Sequence, residues 1–587
     1  MKIRGHRIEL GDVEAAFASL PGVGRAVALV RREPLDLVAA VQVCEPCDDP
    51  ATLIEQWRKD LATRLPRYML PSAIEVLPQI PLSRNGKVDR KALAERFQGA
   101  LAGGRDRQPL REDPLEQKLA AIWRELTLAE DIARDDDFFM IGGTSLTAVG
   151  LLNRLSSEGL RVNIDLIFNH SVFHDMVEAL KRAEDEEENF RQGIDLEALL
   201  TRAMRNLHTA APEPAAEQVR NIFLTGATGY LGIYVLRALV QSTNCRIHCL
   251  LRCRDEDSGY QRLRQMSEEK GLGFDLDRDR VRIIPGDLSA ERFGLDEAAY
   301  AALAQDMDKV LHIAALISLI APLSGLYPIN VQGSANVIEL ATTGKRKPIH
   351  YMSTIGVHYR LPYGEDEPPI PEATGPDAPW HKPELTYEHT KYMAEQLFHR
   401  ARELGVKVNI FRSGAITWDS EQPQPFINDD AFVKFFRTCL SVQGYPDSSI
   451  LISITPVNVV ARYIGMIAQR EIRDQGQNFH LVSQHSLPGG RIYAWFNELG
   501  CRFSPLDFET WDERLSDSFG RGFINRYFKH GIGQGGHHQY RIDNLVAVLE
   551  KHGMQPNQVD RAYFKPLLSQ LAGVGQDDEG DMSCTPR

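Results

Sequence analysis

Residues 221–240 read NIFLTGATGYLGIYVLRALV. The opening NIFLT is a β-prone run, and YVLRALV carries apolar residues at helical spacing. Between them Gly226, Gly229 and Gly232 set a GxxGxxG turn. Strand, glycine turn and helix in that order, at the head of a longer βαβ series, mark a dinucleotide site. The glycines permit a tight turn, backbone approach to a pyrophosphate and close packing of helix on strand. The helix N-terminus adds free N–H groups and partial positive charge. Thr228, Tyr230 and Leu231 lie in the same turn and are expected to border the nucleotide.

From 219 onward the pattern repeats. RIHCLLR, VRIIPGD, KVLHIAA, PIHYMST and KVNIFRSG read as strands separated by helical stretches. That spacing predicts an α/β Rossmann-type doubly wound parallel sheet, followed by a smaller C-terminal substrate-binding region. The end of the second strand selects the cofactor. An NAD site places an acid there for the ribose 2′-hydroxyl. This chain places Arg252 and then Arg254 there. A guanidinium suits a 2′-phosphate, so the expected cofactor is NADPH, with Arg262, Leu288 and Ala314 completing its pocket. Asp287, in PGDL after the third strand, either meets the adenine or is a plain turn aspartate.

The stretch LTYEHTKYMAEQ (385–396) places Tyr387 and Lys391 at i, i+4, on one face of a helix. The ammonium is expected to lower the phenol's pKa, so that Tyr387 can give a proton to a carbonyl oxygen as hydride reaches carbon. Lys391 is also placed to bond the nicotinamide ribose. YMSTIGV (351–357) ends a strand and offers Ser353 or Thr354 to hold the same oxygen.

Glycine turn, strand-end Ser/Thr and YxxxK in this order resemble the extended short-chain dehydrogenase/reductases. Residues 219–570 are similar, within that family, to the terminal thioester reductase domains of peptide synthetases and carboxylic acid reductases. LTGATGYLG, GDL, HIAA, NVQGSANV (330–337), STIGV, YEHTK, INDD (427–430) and ITPVNVVARYI (454–464) carry the likeness. The resemblance implies Thr354, Tyr387 and Lys391 as the catalytic trio. One stretch departs from it: the family's Arg-Pro-Gly is Arg412-Ser413-Gly414 here. Without the proline this loop is expected to be less rigid.

Upstream, DDFFMIGGTSLTAVGLLNRL (136–155) sets Ser145 after two glycines, where a helix begins. By itself this is a capping serine or an attachment point at the positive end of a helix dipole. The stretch resembles a peptidyl carrier domain, which implies a 4'-phosphopantetheine arm on Ser145, installed by a phosphopantetheinyl transferase. KIRGHRIELGDVE (2–14), LPRYMLP (65–71) and NGKVDRKAL (85–93) resemble the C-terminal subdomain of adenylate-forming enzymes. That likeness implies Lys87 as the adenylation lysine. The large adenylation subdomain and upstream synthetase modules are expected to lie outside this chain, which starts inside a motif.

The expected organisation is an α+β adenylation subdomain over 1–97, a linker over 98–113 and a four-helix carrier bundle over 114–182. A second linker over 183–218 contains the acidic EDEEE (184–188). The reductase follows over 219–574, and a disordered tail over 575–587. The net charge of −13 argues against a nucleic-acid surface. No apolar run is long enough for a membrane span. The eight scattered cysteines fit a reducing cytoplasm. Cys44 and Cys47 form one CxxC, but no second pair or histidine cluster accompanies it to make a metal site. The expected function is reductive release of a phosphopantetheine-tethered acyl or peptidyl thioester as an aldehyde, with an alcohol after a second transfer. Two other readings stay open: a non-redox Dieckmann-type cyclising release domain, and an inactive reductase kept for docking.

Overall fold

The computed structural model describes the chain except residues 1, 4–5, 8–9, 33–34, 45–49, 63, 66–68, 70, 72, 83–87, 100–107, 128, 130, 140, 158–159, 161, 163, 215–218, 319–320, 359–367, 376–385, 423–430, 447–450, 470–475, 484, 499–500, 516–538 and 573–587. Lys87, Cys47, INDD, the middle of the 98–113 linker and the tail therefore lie outside the described residues. The chain divides into two compact units, 1–151 with 165–179, and 152–164 with 180–587.

In the first unit, Val23–Arg32 pairs antiparallel with Leu35–Val43, which pairs parallel with Ala73–Leu77. Side chains alternate across a strand, so the central strand feeds two cores. Ala39 and Val41 pack with Val13, Phe17 and Trp57 from the helices Leu10–Ala18 and Pro50–Ala62. Val38 and Ala40 pack with Leu93 and Phe97 from the helix Arg90–Gly99. The carrier region follows, with helices Pro114–Thr127, Ser145–Ser157, Ile164–Asn169 and Phe173–Gln192. Trp123 sits at its centre, edge-on to Phe138 at 5.1 Å and to Phe173 at 5.0 Å.

The stretch 183–218, expected as a linker, is largely helical. The helix Phe173–Gln192 runs through EDEEE, and Leu196–Met204 follows. Glu187 is buried: its carboxylate accepts the Leu323 N–H at 2.6 Å and the Ser324 hydroxyl at 2.7 Å. Leu200 and Ala203 join the core of the second unit. One acid of the run faces inward and finds donors.

The second unit is built on seven parallel strands: β1 (Asn221–Thr225), β2 (Arg246–Leu251), β3 (Val281–Pro285), β4 (Lys309–His312), β5 (Ile349–Thr354), β6 (Val408–Ser413) and β7 (Asn478–Leu481). Their order across the sheet is 3-2-1-4-5-6-7. β1 pairs with both β2 and β4, so the winding reverses there. In open α/β sheets ligands bind beyond the carboxyl ends of the strands at such a reversal. One face of the sheet is covered by the helices Tyr230–Ser242 and Val457–Ala468, the other by Gly333–Thr342 and Thr386–Glu403. A separate aromatic core holds Trp418, Phe436, Tyr493, Phe496, Trp511 and Phe564. It forms the smaller C-terminal region.

The Arg412-Ser413-Gly414 loop is not loose. Ser413 ends β6, paired with Thr354 on one side and Leu481 on the other. Arg412 is fully buried and donates to Glu395 at 2.7 Å. A Cβ at Gly414 would overlap the Ser453 carbonyl. Buried pairing does here what proline was expected to do. Among the described residues no helix is long and apolar enough to cross a membrane.

Candidate nucleotide and reductase site

The glycine turn is a backbone cradle. Gly226 has φ +82, and a Cβ there would stand 2.6 Å from the Ala314 nitrogen. A Cβ at Gly232 would overlap the Gly226 carbonyl oxygen. Gly229 caps the helix Tyr230–Ser242 with no side-chain hydrogen bond, which leaves first-turn N–H groups for an anion. The Thr225 hydroxyl lies 2.8 Å from His312 Nδ1 and accepts the Ala314 N–H at 3.2 Å, binding the ends of β1 and β4 together. These residues fit a dinucleotide pyrophosphate. Of the turn's other residues, Thr228 is half-buried and Leu231 packs into the core. The Tyr230 hydroxyl donates to the Thr417 carbonyl at 3.0 Å.

Arg252 and Arg262 are exposed, and neither forms a salt bridge with a described residue. Arg262 donates to the Arg252 carbonyl at 3.3 Å. Arg254 is paired with Asp255 at 2.9 Å. Of the two arginines at the end of β2, Arg252 is the one free of an ion pair among the described residues. Asp287 accepts the Ser289 hydroxyl at 2.7 Å and its N–H at 2.9 Å. The Ser289 hydrogen bond, with smaller help from Arg252, holds this carboxyl below the usual range. These bonds are those of a turn aspartate. The neighbouring Leu288 is buried in the core.

Thr354 ends β5, and Tyr387 and Lys391 lie one turn apart on the helix Thr386–Glu403. Thr354 Oγ1 accepts the Gly356 N–H at 3.1 Å and donates to the Ser413 carbonyl at 3.4 Å. Tyr387 stands in the first turn of Thr386–Glu403. Lys391, one turn on, is buried; its Nζ donates to the Met352 carbonyl at 2.6 Å and lies 4.3 Å from the centre of the Tyr351 ring. Burial pushes Tyr387 up, and Glu388 adds to this. Burial brings Lys391 down to about 7. The expected lowering of the phenol by the ammonium is therefore not seen. The ammonium is turned to a carbonyl and a ring face. Tyr387 thereby keeps its proton.

Sequence reading missed Asn330, although NVQGSANV contains it. Asn330 is buried in a π-helical turn, Pro328–Gln332, a feature that often marks functional sites. Its amide accepts the Leu316 N–H at 2.7 Å and donates to the Leu316 carbonyl at 3.0 Å and to Thr390 Oγ1 at 2.9 Å. Thr390 in turn donates to the Tyr387 carbonyl at 2.7 Å. The loop after β4 is thereby tied to the helix that bears Tyr387.

In the carrier region Ser145 opens the helix Ser145–Ser157. The cap is supplied by its neighbour: Thr144 Oγ1 accepts the Thr147 N–H at 3.1 Å, and Thr147 Oγ1 accepts the Thr144 N–H at 2.7 Å.

Comparison with known proteins agrees with this layout. Residues 12–87 match the AMP-binding enzyme C-terminal domain, 117–180 the phosphopantetheine attachment site family, and 224–464 the NAD-binding family described as male sterility protein. The chain is 30% identical to a linear gramicidin synthase polypeptide of Brevibacillus parabrevis, over 98% of its own length and 12% of that protein. It is 27% identical to L-2-aminoadipate reductase of Schizosaccharomyces pombe, over 79% of its length and 36% of that protein. It therefore spans only a part of each relative. The terminal R domain of the myxalamid biosynthetic pathway superposes with a TM-score of 0.58 at 26% identity, covering 64% of this chain and 97% of that one. A thiolation-reductase di-domain from an archaeal peptide synthetase shares the fold, with a TM-score of 0.57 at 23% identity over 79% of this chain and 98% of that one. The chain thus carries an AMP-binding C-terminal subdomain, a phosphopantetheine carrier and an NAD(P)-binding reductase domain, the order typical of a nonribosomal peptide synthetase or aminoadipate reductase termination module.

Proposed function

We propose that this chain releases an acyl or peptidyl group, held as a thioester on a phosphopantetheine arm at Ser145, by reducing it to an aldehyde. The reading is supported by the glycine cradle beyond β1 and by Thr354 at the end of β5 of the same sheet, with Tyr387 and Lys391 one turn apart on the helix Thr386–Glu403. Bound NADPH would supply the hydride. Gly226, Gly229 and Gly232 would hold its pyrophosphate, and Arg252 with Arg262 its 2′-phosphate. Thr354 orients the carbonyl oxygen by its hydroxyl. Tyr387, kept protonated by burial, gives its proton to that oxygen as negative charge develops. Lys391 positions the nicotinamide ribose. Asn330 and Thr390 fix the helix turn that presents Tyr387.

The test follows NADPH absorbance after Ser145 has been loaded. Tyr387→Phe is expected to abolish oxidation while leaving loading intact. Undiminished turnover would refute the role of Tyr387.

A further inference from the structure

Tyr387 is followed by Glu388, a carboxyl with no reacting-atom role in the mechanism above. It is 6% exposed. Its Oε2 is buried with no hydrogen-bond partner among the described residues. A point one Cβ bond out from Gly356 lies 2.6 Å from Glu388 Cγ, 3.4 Å from its Oε1 and 3.3 Å from Thr354 Oγ1. The carboxyl and the hydroxyl that orients the substrate oxygen therefore border the same spot above the 355–358 turn. A buried carboxylate oxygen without a partner is costly, and burial holds this carboxyl up at about 7. Near neutral pH a large share of it is therefore in the neutral acid form.

Reductive release needs such a group. Once the thioester carbon has been reduced, its C–S bond must break, and an alkyl thiolate leaves poorly without a proton. Tyr387 cannot serve the sulfur, because the proton it gave to oxygen returns to it as the carbonyl re-forms. We propose that Glu388 is the acid that protonates the departing pantetheine sulfur. The C–S electron pair goes to sulfur, the O–H electrons form the C=O bond, and the hydroxyl proton returns to Tyr387. Glu388 is then reprotonated from solvent. One reduced nicotinamide and one proton are consumed for each aldehyde and thiol formed. This assignment rests on the reductive reading above.

The test uses the full chain with NADPH and two thioesters of one acyl group, one of pantetheine and one of thiophenol. Wild-type turnover of acyl-pantetheine checks reductive release itself; no NADPH oxidation there overturns that reading and this one with it. Given turnover, Glu388→Gln is expected to lower kcat roughly 100-fold for acyl-pantetheine and less than about threefold for the thiophenol ester, whose thiolate leaves unaided. KM and NADPH affinity, read by fluorescence, are expected to hold. Equal losses on both esters, or none on either, overturn the assignment. The infrared difference between wild type and variant, slightly below neutral pH, is expected to contain a protonated-carboxyl band, and its absence counts against Glu388. If Glu388→Gln does not fold, the wild type decides: across alkyl thiols of graded acidity kcat is expected to stay nearly flat, and a steep rise with acidity overturns the proposal.

Discussion

Gly232 packs against the carbonyl of Gly226 so closely that a methyl group at 232 would overlap the oxygen. The contact joins the first helical turn to the end of β1. Gly232→Ala is expected to cost roughly 1–3 kcal/mol from overpacking and to weaken NADPH binding, because relief requires the cradle to open. Fluorescence titration of NADPH beside a urea melt checks both. Wild-type affinity in a folded variant would contradict the cradle's role.

Arg252 and Arg262 are expected to set the choice between NADPH and NADH. Removing both guanidiniums deletes charge-assisted bonds worth about 1.5–3 kcal/mol. NADPH Kd should rise roughly tenfold or more, with NADH Kd nearly unchanged. Equal loss for the two nucleotides would place the arginines elsewhere in the binding.

The buried pair Arg412–Glu395 holds the end of β6, with side-chain exposures of 0% and 1%. Glu395→Ala leaves a guanidinium buried without its partner and is expected to destabilise the second unit by roughly 3–5 kcal/mol. Urea unfolding measures it. A loss under about 1 kcal/mol would mean that the pair does not hold this loop.

The glycine turn was legible in the sequence because its demands are local: each glycine answers to a neighbour a few residues away. Tyr387 and Lys391 were legible for the same reason, through helical spacing. Asn330 was not, since its partners lie 14 and 60 residues away. The role of Glu187 was not legible, because an acidic run gives no sign of which member finds donors 136 residues on. The direction of the Tyr387 shift also escaped, because spacing places an ammonium nearby without saying where it points. The aromatic core of the C-terminal region draws on segments from Trp418 to Phe564, a pooling that no single stretch displays.

His312 is buried between Thr225 and Ser334. Burial, aided by Lys391, brings it down to about 3 from the ordinary 6.5. Its contribution to stability is thus complete above pH 6.5 and is lost as pH falls toward 3. The advantage of wild type over His312→Gln in urea midpoint is expected to narrow below pH 6.5, by up to about 1.4 kcal/mol per pH unit. Glu372 and Glu388, both raised to about 7, act in the opposite sense, losing their contribution as pH rises, but cancel in the comparison. A gap independent of pH would show that His312 titrates normally.

The most direct measurement is mass spectrometry of the chain acylated on its pantetheine arm, with and without NADPH. With NADPH, the acyl mass is expected to leave the arm while an aldehyde forms mole for mole with nucleotide oxidised. Without it, or in Tyr387→Phe, the acyl group should stay in place. Loss of the acyl group at the same rate in the absence of NADPH, with no aldehyde formed, would contradict reductive release.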